Sequence, residues 1–232
     1  MISAIIPAGG SGKRMGGRTP KQFLSLGNEP LLAHALRAFE RAPSVTEVIL
    51  VVPEAERDRA LAEVVERYGL KKVTKVVPGG VTRQDSVRHG LREVDGRSDM
   101  VVVHDGVRPF VTEELIEASI DAARKHGGAI VAVPMKDTLK EVNAGGHILG
   151  TIDRAGFWLA QTPQTFTRAL LTDAYRKADA DDFHGTDEAS LVEHLGQPVA
   201  VVQGRWDNIK VTTAEDLIMA EAILAVRAEV KR

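Results

Sequence analysis

The sequence predicts an α/β fold, in which a mostly parallel sheet is flanked by helices and carries an extended β-hairpin. Short apolar runs typical of buried strands alternate with amphipathic helical patterns through most of the chain. A glycine-rich loop follows the first run, at the position where open parallel sheets bind ligands. Residues 135–157 break the alternation with two short arms around an Asn-Ala-Gly-Gly turn. We therefore predict one domain over residues 1–232, with 135–157 as a protruding dimerisation arm.

The composition excludes several classes of protein. Thirty Lys and Arg against 32 Asp and Glu give a net charge of −2. A chain with this charge has no positive field that would attract nucleic acid or an anionic membrane. The absence of cysteine excludes disulfides, thiolate metal sites and a cysteine nucleophile. No stretch approaches 18 uninterrupted apolar residues, and the first residues lack the pattern of a signal peptide. We therefore expect a cytoplasmic protein with neither nucleic-acid nor membrane partners.

The first strand, Ile2 to Pro7, runs into a glycine-rich loop that is followed by three cations. Glycine lacks Cβ, so the loop backbone can bring several N–H groups against the oxygens of a phosphate. The cations can offset the roughly four negative charges of a nucleoside triphosphate. The alternative is a flexible glycine turn with solvated charges. The loop residues are Ala8, Gly9, Gly10, Ser11 and Gly12, and the cations are Lys13, Arg14 and Lys21.

Two commoner phosphate-binding motifs are absent from this loop. A P-loop needs Ser or Thr after its lysine, but Lys13 is followed by Arg14. A dinucleotide fingerprint that begins at Gly10 would need its third glycine where Met15 stands, and no acidic strand end follows about 20 residues later. The loop therefore points to another kind of nucleotide site.

The remaining elements continue the alternation. Apolar residues at helical spacing predict amphipathic helices, and the short apolar runs between them predict strands. Residues 162–166 are interpreted as a turn, and Thr186 as the cap of the helix that follows. The predicted strands are 47–52, 72–77, 100–104, 129–134 and 199–203, and the predicted helices are 31–43, 55–68, 82–94, 112–126, 168–177, one opening at 185–190 and one from 213.

Polar residues just beyond these strands are candidate ligand contacts. Arg83 and Ser86 lie in the first turn of the helix that follows Gly79-Gly80, although a simple cap and turn would give the same pattern. Asp105, at a strand end, suits Mg²⁺ or a ribose hydroxyl, and a buried ion pair is the alternative. His104 has no second metal ligand at suitable spacing, and we interpret it as structural.

Together these segments resemble the 2-C-methyl-D-erythritol 4-phosphate cytidylyltransferase family of the non-mevalonate isoprenoid pathway. The resemblance covers almost the whole chain and rests on the order and spacing of the motifs more than on any one of them. The motifs are Pro7-Ala8-Gly9-Gly10-x-Gly12-x-Arg14-Met15, Pro20-Lys21-Gln22-Phe23, Gly79-Gly80-x-x-Arg83-x-x-Ser86, His104-Asp105-x-x-Arg108-Pro109, Asp137-Thr138-x-Lys140, Thr162-Pro163-Gln164, Thr186-Asp187-Glu188-Ala189-Ser190 and Asp207-Asn208-Ile209-Lys210-Val211-Thr212.

The resemblance implies a Rossmann-like nucleotidyltransferase (GT-A-like) fold and transfer of the cytidylyl group of CTP to 2-C-methyl-D-erythritol 4-phosphate, with release of pyrophosphate. It implies catalytic roles for Arg14, Lys21 and Lys210, which would surround the phosphates. The residues implied to bind CTP are Ala8, Gly9, Gly10, Gly12, Gly80, Arg83, Ser86, Asp105 and Val107. The residues implied to bind the second substrate are Arg108, Thr138, Arg154, Thr162, Thr186 and Lys210.

The resemblance also implies Mg²⁺ as cofactor, with Asp105 and Asp207 as candidate ligands. It implies a homodimer, because Thr138 and Arg154 on the hairpin would reach the substrate bound by the other subunit. Two alternatives stay open. One is ribitol 5-phosphate cytidylyltransferase, which shares the loop and the Pro-Lys-Gln-Phe element. The other is a nucleotide-binding dimer without catalysis, against which the retention of Arg14, Lys21, Asp105 and Lys210 argues.

Overall fold

A seven-stranded sheet forms the centre of the structure, a computed structural model that describes residues 1–10 and 19–230. The strands are β1 Ile2–Pro7, β2 Ser25–Leu26, β3 Glu29–Pro30, β4 Glu47–Val52, β5 Val73–Pro78, β6 Met100–Val103, β7 Gly128–Pro134, β8 Leu139–Val142, β9 Ile148–Ile152, β10 Trp158–Thr167 and β11 Ala200–Gln203. The α-helices are α1 Leu31–Arg41, α2 Arg57–Ala60, α3 Arg83–Glu93, α4 Glu113–His126, α5 Arg168–Ala180, α6 Glu188–His194 and α7 Ala214–Val230.

The strand order is β11-β7-β10-β6-β1-β4-β5. The strand β10 is antiparallel to both of its neighbours, and the other pairings in this sheet are parallel. The predicted fold class, a mostly parallel sheet flanked by helices, is therefore confirmed. The carboxyl ends of β1, β4 and β6 meet at one edge of the sheet, where such folds bind their ligands.

Helices cover both faces of the sheet. All six residues of β1 and of β4 are buried, as is typical of strands covered on both sides. Alternate β1 residues point to opposite faces, so Ile6 packs in the cluster that contains α1 and α4 while Ile5 packs against α3, α5 and α6. A third cluster joins α7 to Phe110 and Val211. This last helix thereby holds two loops of the site in place.

The prediction of a turn at residues 162–166 is wrong, because these residues belong to β10. The strand register shifts between Ala160 and Gln164, and Pro163 lies within this irregularity. A proline lacks the N–H that a regular ladder needs, so it is tolerated in a strand at such a bulge.

Two other predictions need correction. The cap of α6 is Asp187, not Thr186, because the Asp187 carboxylate accepts the N–H of Ser190 while Ser190 Oγ faces the Asp187 N–H in return. The helix predicted over 55–68 is divided into a 3₁₀ turn at Glu54–Glu56, the short helix α2 and a π-helix at Leu61–Glu66.

The predicted arm contains the antiparallel pair β8 and β9, which forms a two-stranded sheet of its own. Asn143 Oδ1 closes its turn by accepting the N–H groups of Gly145 and His147. Large apolar side chains on the hairpin are exposed, among them Ile148 and Leu149. Within residues 1–10 and 19–230, no helix combines the length and the apolar character needed to cross a membrane.

Candidate active site

The candidate site lies where the loops after β1, β5 and β6 converge. The Gly79 N–H donates to the carbonyl oxygen of Val52 at 2.7 Å, and the Gly106 N–H donates to that of Pro7 at 3.1 Å. Each loop is thus fixed to the end of a neighbouring strand. This arrangement brings residues that are far apart in the sequence to one edge of the sheet.

Asp105 is the centre of the site. Its Oδ1 accepts a hydrogen bond from Arg83 Nε at 2.9 Å, and its Oδ2 lies 2.7 Å from Lys210 Nζ and 3.9 Å from Arg108 Nε. Burial favours the neutral acid, but the charges of Arg83, Lys210 and Arg108 outweigh it and hold the pKa of Asp105 well below its usual range. Asp105 is therefore a carboxylate at neutral pH.

Arg83 is held from its other side by Glu188. Their two parallel hydrogen bonds measure 2.8 Å and 2.9 Å, and the Glu188 side chain is only 1% exposed. Burial opposes the charged guanidinium, but the carboxylates of Glu188 and Asp105 outweigh burial and raise the pKa of Arg83. The cluster contains the cations Arg83, Arg108 and Lys210 and the carboxylates Asp105 and Glu188, so positive charge is in excess.

Glu188 is a site residue that the sequence prediction missed. Sequence reasoning assigns it only to the first turn of a helix, where acidic residues are favoured by the helix dipole. The available signal is its place in the Thr-Asp-Glu-Ala-Ser motif. Gln164 fixes its position, because Gln164 Oε1 accepts the backbone N–H groups of both Glu188 and Ala189 at 3.1 Å. Tyr175 adds a hydrogen bond to Glu188 Oε1 at 3.3 Å.

His104 is completely buried and positions the Asp105 backbone through Thr162. Burial lowers the pKa of His104 to about 4, so its ring is neutral at pH 7. Its Nε2 donates to the carbonyl oxygen of Arg108, which can only accept, and its Nδ1 therefore accepts the Thr162 hydroxyl at 2.9 Å. The same hydroxyl oxygen accepts the Asp105 N–H at 3.1 Å.

Thr162, which the resemblance implies as a substrate contact, forms hydrogen bonds within the fold. Its side chain is buried, and its hydroxyl already donates to His104 and accepts from Asp105. Its carbonyl oxygen accepts a hydrogen bond from Asn208 Nδ2 at 2.9 Å. Thr162 therefore ties β10 to the loops that carry Asp105 and Lys210.

The loop at Gly79 and Gly80 is braced by the first turn of α3. Ser86 Oγ accepts the Gly80 N–H at 3.1 Å and donates to the carbonyl oxygen of Thr82. A Cβ on Gly80 would lie 2.3 Å from the Cβ of Asp85, so only glycine fits there. The predicted cap at Thr82 is present as a reciprocal pair with Asp85.

The first loop is described only in part. Ala8, Gly9 and Gly10 lie within the described residues, whereas Gly12 and Arg14 lie outside them. A Cβ on Gly10 would lie 2.4 Å from Lys21 Cε, so this glycine makes room for the Lys21 side chain to pass beside the loop. Lys21 stands in the 3₁₀ turn Lys21–Phe23 that leads toward β2. The structure therefore places Lys21 against the loop that was predicted to hold phosphate.

Val107 and Arg108 connect the Asp105 loop to the segment that carries Lys210. The Val107 carbonyl oxygen accepts the N–H of Val211 at 2.9 Å. Arg108 Nη1 donates to the carbonyl oxygen of Asn208 at 2.8 Å. Two loops that are 100 residues apart in the sequence thus form one surface.

Asp207, a predicted metal ligand, is paired with arginines. Its Oδ1 accepts from Arg205 at 2.9 Å, and its Oδ2 accepts from Arg227 at 2.7 Å. Burial would raise the pKa of Asp207, but these two guanidiniums outweigh burial and lower it. Both Asp207 oxygens thus accept from a guanidinium, and the role of Asp207 as a metal ligand stays a prediction. Within residues 1–10 and 19–230, no group of three His, Asp or Glu side chains is arranged to hold a metal ion.

The remaining predicted substrate contacts lie at the surface. Thr138 and Arg154 are exposed on the arm, and Thr186 is exposed just before the cap of α6. In the part of a single chain that the structure describes, Thr138 and Arg154 form no hydrogen bond with the residues around Asp105.

Comparison with known proteins identifies the family. The model of the 2-C-methyl-D-erythritol 4-phosphate cytidylyltransferase family matches residues 2–226. The chain is 51% identical over 223 residues to the protein of this name from Syntrophus aciditrophicus, covering 96% of this chain and 95% of that protein. It is 49% identical over 225 residues to the protein of the same name from Geotalea uraniireducens, with 96% of each covered.

Solved structures agree with this result. The structure of 4-diphosphocytidyl-2C-methyl-D-erythritol synthase from Anaerococcus prevotii matches with a TM-score of 0.85 at 36% identity, covering 97% of this chain and 96% of that one. The 2-C-methyl-D-erythritol 4-phosphate cytidylyltransferase from Thermus thermophilus matches with a TM-score of 0.78 at 35% identity, covering 95% and 97%. The resemblance inferred from the motifs is confirmed, and the chain belongs to the 2-C-methyl-D-erythritol 4-phosphate cytidylyltransferase family.

Proposed function

We propose that this chain transfers the cytidylyl group of CTP to 2-C-methyl-D-erythritol 4-phosphate, giving 4-diphosphocytidyl-2-C-methyl-D-erythritol and pyrophosphate in isoprenoid precursor biosynthesis. The observation that carries the proposal is the cluster in which Arg83, Arg108 and Lys210 surround Asp105. The cluster stands at the carboxyl end of β6, close to the end of β1, from which the glycine loop departs. Family membership supplies the identity of the two substrates.

The reaction is a direct displacement at phosphorus. A phosphate oxygen of methylerythritol phosphate attacks the α-phosphorus of CTP, and the bond from that phosphorus to the bridging oxygen of the β-phosphate breaks. A phosphate monoester is already ionised at neutral pH, so the attacking oxygen needs no strong general base. The tasks left for the protein are to position two anions in line and to stabilise the charge that develops.

Lys210 is suited to this stabilisation. Its ammonium group is held 2.7 Å from Asp105 Oδ2, while its side chain remains 37% exposed. The ammonium is thus fixed in direction and still open to a ligand. In the proposed reaction it faces the α-phosphate and the attacking phosphate, and Lys21 and Arg14 bind the β- and γ-phosphates. Cations placed around the phosphates in this way would stabilise the transition state more than the separate substrates.

Asp105 and its neighbours would bind the nucleoside. The Asp105 carboxylate accepts a ribose hydroxyl, and the loop at Gly79-Gly80 with α3 forms the pocket for the cytosine ring. The roles of Arg83 and Ser86 are to hold Asp105 and this loop in place. Arg108 is fixed by its bond to the Asn208 carbonyl oxygen and presents its remaining N–H groups to the second substrate.

Mg²⁺ fits this site only in part. Asp105 is the one carboxylate of the cluster near the expected phosphates, and its two oxygens already accept from Arg83 and Lys210. Mg²⁺ prefers few carboxylates together with phosphate oxygens and water, so Asp105 together with the triphosphate would hold it. When bound, the ion would neutralise charge on the leaving pyrophosphate.

The arm and the location of the protein complete the proposal. Exposed apolar side chains on 135–157 support a homodimer, in which Thr138 and Arg154 would approach the substrate of the other subunit. The cytoplasmic location expected from the sequence remains a prediction.

The proposed function is tested by measuring pyrophosphate release from CTP and Mg²⁺ with two acceptors in parallel. We expect release with 2-C-methyl-D-erythritol 4-phosphate and at most trace release with ribitol 5-phosphate. Release with ribitol 5-phosphate alone would keep the chemistry and overturn the acceptor. Tight CTP binding with no release for either acceptor would favour the nucleotide-binding dimer without catalysis.

A further inference from the structure

A cavity outside the candidate active site lies between α1, α7 and the loop after Arg108. Its volume is about 270 Å³. Four of its lining residues are basic, namely His34, Arg37, Arg41 and Arg227, and Phe110 and Leu224 are among its apolar lining residues. Among the described residues that line it, none is acidic. Basic side chains that line one cavity can bind an anion where some of their N–H groups remain available to it.

Carboxylates outside the lining hold the arginines in place. Glu29 accepts two hydrogen bonds from Arg37, at 2.7 Å and 2.8 Å. Asp207 accepts from Arg227, which also donates to the carbonyl oxygen of Phe110 at 3.1 Å. Two guanidinium groups are therefore ordered before any ligand arrives, which reduces the entropy lost on binding.

The terminal nitrogens of Arg41 are available to donate hydrogen bonds to a ligand. Its Nε donates to Glu113 at 2.7 Å, and its two terminal nitrogens form no hydrogen bond with any residue that the structure describes. Its side chain is 55% exposed. A guanidinium with both terminal nitrogens available matches two oxygens of one phosphate group.

We propose that this cavity binds a small phosphate monoester that carries a short apolar group. The phosphate would lie against Arg41 and Arg227, and the apolar group against Phe110 and Leu224. The Arg227 guanidinium already lies 4.9 Å from the centre of the Phe110 ring, so cationic and apolar walls are adjacent. The volume lies just below the roughly 300–1,000 Å³ of pockets for drug-sized ligands, which limits the ligand to a small metabolite.

The test is titration calorimetry of the full chain with phenyl phosphate, in wild type and four variants, Arg41→Gln, Arg227→Gln, Arg124→Gln and Lys210→Ala. Arg41→Gln removes one guanidinium group from the lining of the cavity. Arg124→Gln is the matched control, because Arg124 is similarly exposed, at 51%, and is likewise paired with one carboxylate. Lys210→Ala removes the cation that would bind the same probe in the proposed active site, so the two sites are separated.

We expect wild type, Arg124→Gln and Lys210→Ala to bind phenyl phosphate with the same affinity at this cavity. Arg41→Gln should lower that affinity about tenfold, because it removes one charge-assisted hydrogen bond. Arg227→Gln should lower the same affinity. Absence of binding in wild type would overturn the proposal, as would equal affinity in Arg41→Gln or loss of this binding in Lys210→Ala. These outcomes are independent of whether the chain releases pyrophosphate from CTP.

Discussion

Asp105 joins three cations that enter the site from three separate segments of the chain. Its position directly after a buried strand can be predicted from the sequence, because open parallel sheets bind ligands at their carboxyl edge. Its partners cannot be predicted in the same way. Arg83 lies 22 residues before it, and only the folded structure brings the two side chains within 2.9 Å.

Glu188 shows what sequence patterns miss at the scale of a residue. An acidic residue in the first turn of a helix has a sufficient local explanation in the helix dipole. Its pairing with Arg83 spans 105 residues and has no local signature. Thr162 shows a second kind of contact that the sequence does not reveal. A threonine in a family motif was assigned to the substrate, but the fold uses its hydroxyl between His104 and Asp105.

We expect Glu188→Gln to destabilise the fold by about 2 to 3 kcal/mol. Removing one charge of a fully buried pair costs roughly 3–5 kcal/mol, and the partial exposure of Arg83 reduces this cost. Urea denaturation measures the free energy of unfolding. Glu193→Gln, an exposed position on the same helix, serves as control and should be close to neutral. Equal stability of the two variants would contradict the role given to the pair.

The lowered pKa of His104 leads us to expect that the stability of the fold depends on pH. Its pKa is lowered from 6.5 to about 4 by burial, so between these values the unfolded chain binds a proton that the folded chain does not. The contribution of His104 to the free energy of unfolding is therefore complete above about pH 6.5. It decreases by roughly 3 kcal/mol as the pH drops toward 4.

The measurement is the free energy of unfolding at several pH values between 4 and 7. We expect His104→Asn to show a shallower slope than wild type, and His147→Asn, on the exposed arm, to keep the wild-type slope. A slope that His104→Asn leaves unchanged would show that another group causes the dependence.

At the scale of elements, the sequence predicts the doubly buried strands best. They are continuous apolar runs with turn residues on both sides, and this pattern has few alternatives. The strand β10 could not be predicted over its full length, because Pro163 and the polar residues around it are typical of a turn. Only pairing on both sides, with β6 and β7, makes this segment a strand.

The arm carries a prediction about assembly. A two-stranded hairpin with exposed apolar side chains is marginally stable alone, and a partner surface would bury those side chains. We expect Ile148→Glu, at a side chain that is 64% exposed, to shift the protein from dimer to monomer in sedimentation velocity. Ile218→Glu on α7, which is 72% exposed, is the control and should leave the distribution unchanged. A wild type that sediments as a monomer would refute the dimer.

At the scale of the whole molecule, the site is assembled from loops after β1, β5, β6 and β11 and from the N-termini of α3 and α6. The regular alternation of strands and helices places these loops together, so the edge that holds the site could be predicted. The contacts within it could not, because hydrogen bonds such as that from Arg108 to Asn208 depend on the exact docking of segments 100 residues apart. The same dependence explains why the pairing of Asp207 with Arg205 and Arg227 could not be predicted from its place beyond a strand.

The central claim is that Asp105, with the cations around it, forms the site of cytidylyl transfer. The most direct test is pyrophosphate release from CTP and 2-C-methyl-D-erythritol 4-phosphate by wild type, Asp105→Asn and Asp121→Asn. Asp121 is an exposed residue of α4 whose side chain pairs only with Arg124 in the described structure, and it serves as control. We predict that Asp105→Asn lowers kcat/KM at least about a hundredfold, as removal of one preorganised electrostatic group typically does, and that Asp121→Asn retains wild-type activity. Wild-type activity in Asp105→Asn would contradict the account.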